Sequence, residues 1–218
     1  MTEHEKMLSG KIYDPFSEGM PEERERAHLL CAKYNSLPET ERRERAAVLR
    51  ELIPDTGENV YLQGPIYVDF GSNISIGDGS YANFCFTVLD EGRVSIGRSV
   101  FIGPNVSLLT PIHPLCRQDR NSFFNTKTGV MTNLERAGEI TIEDDCWLGG
   151  GVTVLGNVKI GRGSVIGAGS VVTRDIPPDS LAAGVPCRVI RGITDADRLG
   201  NHPEFFADPR DMDLLPDE

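Results

Sequence analysis

The sequence predicts a mainly β protein, a solenoid of six-residue repeats with a helical cap and one long extruded loop. A period of six fits neither the 3.6-residue period of a helix nor the two-residue period of an isolated strand. It is typical of a solenoid in which each unit forms a short strand and a corner, with three units per coil. A pair of glycine-rich hairpins from a β-sandwich is the less favoured alternative. The in-phase aliphatic residues are Ile142, Leu148, Val154, Ile160, Ile166 and Val172.

Composition and charge agree with a thin stacked core and exclude several function classes. The chain of 218 residues has 7% aromatic residues and 23 glycines, as expected if small aliphatic side chains fill the core and glycines occupy corners. A formal net charge of −11 argues against general binding to nucleic acid or to an anionic membrane. Five cysteines without metal-like spacing predict free thiols. The polar N-terminus and the lack of a long apolar run predict a cytoplasmic protein.

Residues 1–57 are predicted to form the helical cap. Pro21-Glu22-Glu23 is a favourable helix start, because proline suits the first turn and acidic residues suit the positive end of the helix dipole. A second helix is predicted to open between Ser36 and Glu39 and to end near Pro54.

Residues 58–193 are predicted to form the β-helix. The six-residue spacing there slips by two positions near Glu91-Gly92, which predicts a small bulge or loop between coils, and it stops between about residues 110 and 138. A long polar interval inside a compact domain is usually functional, so we predict an extruded loop there. Residues 194–218 are predicted to be a loose acidic tail with one docking point at Phe205-Phe206. The spaced aliphatic positions before the loop are Phe70, Ile76, Ala82 and Val88, then Ile96, Ile102 and Leu108.

One histidine stands out as a candidate for chemistry. His113 lies at the start of the predicted loop between Pro111 and Pro114, which stiffen the backbone, whereas His4, His28 and His202 are expected to be solvated. A rigidly held imidazole suits a general base near neutral pH, although a structural role is equally compatible with the spacing. A zinc site with three histidine ligands is excluded, since the predicted solenoid contains a single histidine.

Basic residues cluster near the end of the predicted solenoid, at Arg162, Arg174, Arg188 and Arg191. In an acidic protein such a cluster is a candidate site for phosphate groups. Solubilising charge on the last coil is the alternative.

Several motifs make the chain similar to a known family, the hexapeptide-repeat sugar O-acetyltransferases of the maltose and galactoside acetyltransferase group. The resemblance extends from Met7 to Ile193 and rests on EKMLSGKIYDP, FGSNISIGDGSYANF, PNVSLLTPIHPL, WLGGGVTVLGNVKIG and VIGAGSVVTRDIPPDSLAAGVPCRVIR. It implies a left-handed parallel β-helix and a homotrimer with acetyl-CoA sites between subunits. It also implies that the helical cap forms the acceptor side and that no metal is required.

The resemblance also implies roles for individual residues. His113 matches the catalytic base, and Asn83 matches the residue that helps to hold the developing oxyanion. The positions that match the acceptor pocket are Asp69, Tyr81, Glu91, Asp14, Arg24 and Met131. The positions that match coenzyme contacts are Trp147, Gly150, Ala168, Thr173, Arg174, Arg188 and Arg191.

The function expected from the resemblance is transfer of an acetyl group from acetyl-CoA to a hydroxyl of a sugar or small polyol by direct attack. Three departures touch the acceptor side: Thr110-Pro111-Ile112 before His113, a longer loop over residues 116–138, and Asp69 where galactoside acetylators carry serine. A non-sugar acceptor, such as a xenobiotic alcohol or serine, therefore stays open. A non-catalytic β-helix scaffold is the third hypothesis.

Overall fold

The computed structural model describes residues 1–17 and 19–215, and most of them form a parallel β-helix. Before the extruded loop, the strands in chain order are β1 (Asp55–Thr56), β2 (Tyr61–Leu62), β3 (Ile66–Val68), β4 (Ile74–Ile76), β5 (Tyr81–Ala82), β6 (Phe86–Leu89), β7 (Val94–Ile96), β8 (Phe101–Ile102) and β9 (Ser107–Leu109). The strands of the loop are β10 (Pro111–Ile112), β11 (Phe123–Asn125), β12 (Val130–Thr132) and β13 (Arg136–Ala137). After the loop come β14 (Ile140–Ile142), β15 (Trp147–Leu148), β16 (Thr153–Leu155), β17 (Val158–Ile160), β18 (Val165–Ile166), β19 (Val171–Val172), β20 (Ser180–Ala183) and β21 (Arg188–Gly192).

Every third strand of the β-helix pairs in parallel, which produces three sheets. The first sheet has the order β1-β4-β7-β14-β17, the second β2-β5-β8-β15-β18-β20-β21, and the third β3-β6-β9-β16-β19. Each coil contributes one strand to each sheet, so the chain makes five complete coils before β20 continues the second sheet. The extruded loop does not shift the register of the coils, because Ile142 pairs with Ile96 below it and with Ile160 above it.

The six-residue repeat supplies the core, as the sequence predicts. All six in-phase aliphatic residues of the fourth and fifth coils are at most 1% exposed. Coils stack at the strand spacing of about 4.8 Å, so each aliphatic side chain lies directly on its equivalents above and below and water is excluded. A single cluster of buried residues extends from Ala27 in the cap to Cys187 near the last strand. The predicted bulge or loop near Glu91 corresponds to the corner between β6 and β7, where the chain passes from one coil to the next.

Three helices form the cap: α1 (Glu3–Leu8), α2 (Met20–Ser36) and α3 (Arg42–Leu52). The predicted start of α2 is confirmed. The predicted start of the second helix was wrong, because Ser36 is still in α2 and Leu37, which precedes a proline, is extended (φ −78°, ψ 130°). The sequence analysis also missed α1, although the capping box formed by Thr2 and Glu5 is a recognisable start signal.

The cap is fastened to the first coil by a buried arginine. Arg45 is 3% exposed, and its guanidinium donates to the carbonyl oxygens of Leu37 (2.9 Å) and Leu62 (3.0 Å). It also lies over the ring of Tyr34, 4.2 Å from the centroid. A second, smaller core joins the N-terminal segment to the β-helix and consists of Met7, Tyr13, Met20 and Phe70.

The extruded loop leaves the β-helix through a narrow neck. The Gly138 amide donates to the Thr110 carbonyl (2.9 Å), and β10 pairs with β13 antiparallel. Beyond the neck lie the short helix α4 (Arg117–Arg120) and a hairpin of β11 and β12. The hairpin exposes Phe124 (58%) and Met131 (57%).

After the last coil, β21 turns back antiparallel along β20. The acidic tail then forms short 3-10 helices over Asp195–Asp197, Leu199–Asn201, Pro203–Phe205 and Pro209–Leu214. Phe205, predicted as a docking residue, is 68% exposed and stacks on His202 within the tail, with ring centroids 5.1 Å apart. Across the described residues, no helix is long and apolar enough to cross a membrane.

Close stacking of the coils at the corner that carries Gly97 predicts that this glycine tolerates no side chain. A Cβ added to Gly97 would lie 2.5 Å from the backbone nitrogen of Asp144 in the next coil. We expect Gly97→Ala to lower the free energy of unfolding by about 1–3 kcal/mol, because the coils must move apart. Urea unfolding would measure it, with Gly200→Ala as the control, where the nearest atom is 3.6 Å away. Equal stability of the two variants would contradict corner stacking as the constraint.

Candidate active site

His113 emerges directly from the neck of the extruded loop, at the corner between the third and first sheets. The register Ile112↔Arg136 in the neck places His113 across from Glu135. The Nδ1 atom of His113 is 3.3 Å from Oε2 of Glu135. The glutamate side chain is only 8% exposed, whereas the imidazole is 49% exposed. One ring nitrogen therefore faces a buried carboxylate, and Nε2 lies on the opposite edge of the ring.

Glu135 is itself held by the N-terminal segment. Tyr13 pairs with Glu135 through two backbone hydrogen bonds of 3.0 and 3.3 Å. The Tyr13 hydroxyl also donates to Oε1 of Glu135 at 2.7 Å. Burial, and next the negative charge of Glu135, raise the pKa of Tyr13 far above its usual range. The hydroxyl therefore stays protonated and remains a hydrogen-bond donor.

Two further carboxyl groups lie beside this pair. Burial, and next the neighbouring Asp69, raise the pKa of Glu91 to about 9. Glu91 is therefore protonated near neutral pH and can share its proton with Asp69. Asp69 is also 3.4 Å from Nε2 of His28 and keeps 18% of its side chain exposed. The structure thus brings the predicted residues Asp69 and Glu91 together in one acidic corner.

Asp90 shapes the turn that carries Asp69. Its carboxylate is fully buried and accepts from the backbone amides of Asp69 (3.1 Å) and Phe70 (2.9 Å). Burial raises the pKa of Asp90 to about 6, although the amide hydrogen bonds act in the opposite direction.

Two other predicted acceptor residues hold the N-terminal segment near the loop. Asp14 is 8% exposed, and its carboxylate accepts from the Thr132 hydroxyl and from the Asn125 amide (3.4 Å). Arg24 donates to the Pro15 carbonyl at 2.8 Å. Asp14 therefore ties the N-terminal segment to the loop, and Arg24 ties the same segment to α2. Met131 lies on the exposed hairpin, opposite Phe124.

Five of the predicted residues line a different groove, on the outer face of the second sheet. This groove has a volume of about 540 Å³. Gly103 and Gly150 leave part of its floor as bare backbone. The coils stack so closely there that a Cβ on Gly103 would fall 2.5 Å from the nitrogen of Gly150. The side-chain oxygen of Asn83 accepts from the Phe84 amide (2.7 Å), which orients its NH₂ group. The predicted lining residues are Tyr81, Asn83, Trp147, Gly150 and Ala168.

The remaining predicted cofactor residues lie higher along the β-helix. Thr173 and Arg174 are exposed at the third–first corner of the fifth coil, and Arg188 and Arg191 are exposed on β21. Arg191 binds Asp197 of the tail with two nitrogens, at 2.8 and 2.6 Å. These hydrogen bonds lower the pKa of Asp197 to about 2. Arg162, the fourth arginine of the basic cluster, instead pairs with Asp145 at 2.9 Å.

The predicted site residues therefore fall into two groups on one chain. His113, Asp69 and Glu91 lie at the corner between the third and first sheets. Asn83 follows β5 at the corner between the second and third sheets, and the width of the third sheet separates the two.

Sequence reasoning missed Glu135 and Tyr13. Tyr13 stands next to Asp14 in the recognised KIYDP motif, so its neighbourhood was indicated. Glu135 is an acidic residue in a polar loop and belongs to no recognisable motif. Only the strand pairing across the neck shows that it lies beside His113. Among residues 1–17 and 19–215, no group of three or more His, Cys, Asp or Glu side chains is arranged to hold a metal ion.

Comparison with known proteins identifies both parts of the chain. A family model for the maltose acetyltransferase hexapeptide capping motif matches residues 6–57, and a model for the bacterial transferase hexapeptide (six repeats) matches residues 139–174. A galactoside O-acetyltransferase of Escherichia coli (strain K12) is 42% identical over 194 residues, which covers 89% of this chain and 91% of the relative.

Solved structures give the same result. A maltose O-acetyltransferase from Clostridium difficile 630 superposes with a TM-score of 0.81 at 39% identity, covering 89% of this chain and 99% of that one. A galactoside acetyltransferase in complex with coenzyme A has the same TM-score and identity, covering 90% and 94%. The prediction of a left-handed parallel β-helix of hexapeptide repeats is confirmed. The chain belongs to the hexapeptide-repeat O-acetyltransferases of the galactoside and maltose group, and is thus an acyltransferase.

Proposed function

We propose that this protein transfers the acetyl group of acetyl-CoA to a hydroxyl of a sugar or small polyol, with His113 as the general base. The observation that carries the proposal is the environment of His113, an open imidazole held against buried Glu135 and beside the acidic corner of Asp69 and Glu91. The family membership supplies the reaction class.

The chemistry requires one base and one donor. His113 takes the proton from the acceptor hydroxyl as its oxygen attacks the thioester carbonyl. A carbon–oxygen bond forms and the carbon–sulfur bond then breaks, and the imidazolium returns its proton to the leaving sulfur. A positioned base contributes about 10²–10⁴-fold, and a donor to the developing oxyanion contributes about 10²–10³-fold. The oriented NH₂ group of Asn83 suits the second role.

The groove on the second sheet suits the acetyl donor. Gly103 and Gly150 line it without side chains, and its volume of about 540 Å³ leaves room for a thin pantetheine arm. Exposed arginines near the last coils suit the phosphates. The galactoside acetyltransferase solved with coenzyme A, similar over 90% of this chain, supports this assignment.

The separation of the two groups supports a site shared between copies of the chain. A base at one corner and an oxyanion donor at another cannot act on one substrate unless a neighbouring copy completes the site. The second sheet also exposes large apolar side chains that such a neighbour would cover, namely Phe101 (56%) and Trp147 (55%). We therefore propose a homotrimer in which the third–first corner of one copy faces the second sheet of the next.

Asp69 and Glu91 suit an acceptor that carries several hydroxyl groups. Asp69 keeps 18% of its side chain exposed and its carboxyl oxygens can accept hydrogen bonds from neighbouring hydroxyls, while the buried, protonated Glu91 lies beside it. This favours a sugar or polyol over a simple xenobiotic alcohol. A non-catalytic scaffold would leave the paired His113 and Glu135 without a role.

Replacing the base should abolish most of the activity. We expect His113→Ala to lower kcat by about 10²–10⁴-fold with little change in the KM for acetyl-CoA, because the side chain acts on the acceptor hydroxyl. Release of coenzyme A thiol with a panel of glycosides measures this. His202→Ala, in the tail, is the matched control and should retain full activity. If no glycoside in the panel is acetylated, calorimetry with coenzyme A distinguishes an enzyme for another acceptor, which binds coenzyme A, from a non-catalytic scaffold, which does not.

Mixing two inactive variants tests the shared site. Co-expressed His113→Ala and Asn83→Ala chains should recover about a quarter of the wild-type activity, since random assembly pairs two intact halves in one site of four. Co-expressed His113→Ala and His113→Asn chains should recover none. Failure of the first mixture to exceed the second would place the whole site on one chain.

The proton on Glu91 should make stability depend on pH. Its pKa rises from 4.5 in the free side chain to about 9 in the fold, so the wild type loses stability as the pH rises between these values. Glu91→Gln removes this loss. We therefore expect the Tm of the wild type to fall more than that of the variant between pH 5 and pH 8. Glu139→Gln, at an exposed position, should follow the wild type; parallel behaviour of Glu91→Gln would contradict the buried proton.

A further inference from the structure

We propose that Glu135 and Tyr13 are positioning residues that hold His113 in one tautomer and one orientation. The inference rests on the proposed function, because it assigns His113 the role of base. Neither residue belongs to the regular hexapeptide repeats, and they lie 122 positions apart in the chain.

Three neighbouring backbone segments are aligned around Glu135. Glu135 stands in the middle, bridged to Tyr13 on one side and placed across from His113 by the register of the neck on the other. Directly opposed residues in such pairs have neighbouring side chains. The three side chains are therefore set by backbone pairing as well as by their own contacts.

The two oxygens of the Glu135 carboxylate have different partners. Oε1 accepts from the Tyr13 hydroxyl at 2.7 Å, and Oε2 lies 3.3 Å from Nδ1 of His113. If Glu135 only tied the N-terminal segment to the loop, the backbone bridge and the tyrosine would suffice. The second oxygen is left to the imidazole, and the tyrosine restricts rotation of the carboxylate so that this oxygen keeps its direction.

The chemical consequence concerns the two nitrogens of the imidazole. A carboxylate accepts only a protonated nitrogen, so Oε2 selects the neutral tautomer with hydrogen on Nδ1. The lone pair then lies on Nε2, on the edge of the half-exposed ring that faces away from Glu135, where an acceptor hydroxyl can approach. Without Glu135, the half-exposed ring would populate both tautomers and several orientations, and only part of that population could act as a base.

Kinetics of three variants test the proposal. Glu135→Gln keeps the size of the side chain but loses the charge, and we expect kcat to fall about 10–10²-fold with little change in KM, as is typical when a supporting residue is lost. Tyr13→Phe should lower kcat about three- to tenfold, the value of one hydrogen bond. Tyr34→Phe removes another buried hydroxyl of the cap, one bonded to Leu62, and should leave kcat unchanged.

Nitrogen NMR of the histidines measures the tautomer of His113, which would not change if Glu135 had only a structural role. The chain has four histidines, so the spectrum of ¹⁵N-histidine protein is simple, and His113→Asn identifies the signal. In alkaline buffer we expect His113 of the wild type and of Tyr34→Phe to carry hydrogen on Nδ1. The signal of Glu135→Gln should move toward a mixture of tautomers.

The outcomes separate the two proposals. Wild-type kcat in Glu135→Gln, or a lower kcat with an unchanged tautomer signal and a lower Tm, would overturn the positioning role. Full activity of His113→Ala would instead overturn the proposed function, whatever the tautomer of His113. Thermal unfolding of each variant shows whether it is folded.

Discussion

The structure depends on one constraint, the in-register stacking of coils at the spacing of β-strands. Each coil is too thin to bury its own aliphatic side chains, so Ile142, for example, is covered only because Ile96 and Ile160 lie directly below and above it. The same spacing brings corner residues so close that a Cβ is excluded at Gly97 and at Gly103. In-register stacking of the coils therefore accounts for both the buried core and the absence of side chains on the groove floor.

The stacking also limits where reactive groups can be placed. Side chains that point inward are committed to the core, so chemistry is restricted to outer faces, corners and segments that leave the coil. The extruded loop departs at Thr110 and returns at Gly138 with the stack intact, because the two are hydrogen-bonded to each other. The short antiparallel pairing that closes this neck is what holds His113 beside Glu135. The pairing in the neck thus keeps the stack of coils intact and also positions the proposed base.

Electrostatics divide the molecule into two functional regions. The chain carries a net charge of −11, and carboxyl groups converge at the corner that carries His113. This convergence is tolerated because burial keeps a proton on Glu91 near neutral pH, which removes one negative charge from the cluster. The arginines proposed for the phosphates, Arg174, Arg188 and Arg191, lie toward the other end, on the fifth coil and β21. An uncharged, hydroxyl-rich acceptor at the corner and a phosphate-bearing donor along the arginine side agree with this division.

The sequence by itself determined the repeat, the coil length and the aliphatic core, because a period of six residues has no other compact solution with such stacking. It also indicated His113, since two prolines mark a stiff segment where the repeat stops. The resemblance to the acetyltransferase family added Asn83, Asp69 and Glu91. The predicted start of the second cap helix was too early, because Pro38 favours an extended Leu37 and so delays the next helix.

Only the tertiary structure decided how these residues are grouped. Whether Asn83 and His113 share a corner depends on which sheet each strand joins, and this is a property of the whole winding of the chain. Glu135 carries no local signal, and its role follows from a strand pairing across the neck and from Tyr13, which is more than a hundred residues away. The proton on Glu91 likewise exists only because folding buries the group next to Asp69. Local sequence encodes periodicity, but proximity between distant residues and the loss of solvent around them arise only when the chain is folded.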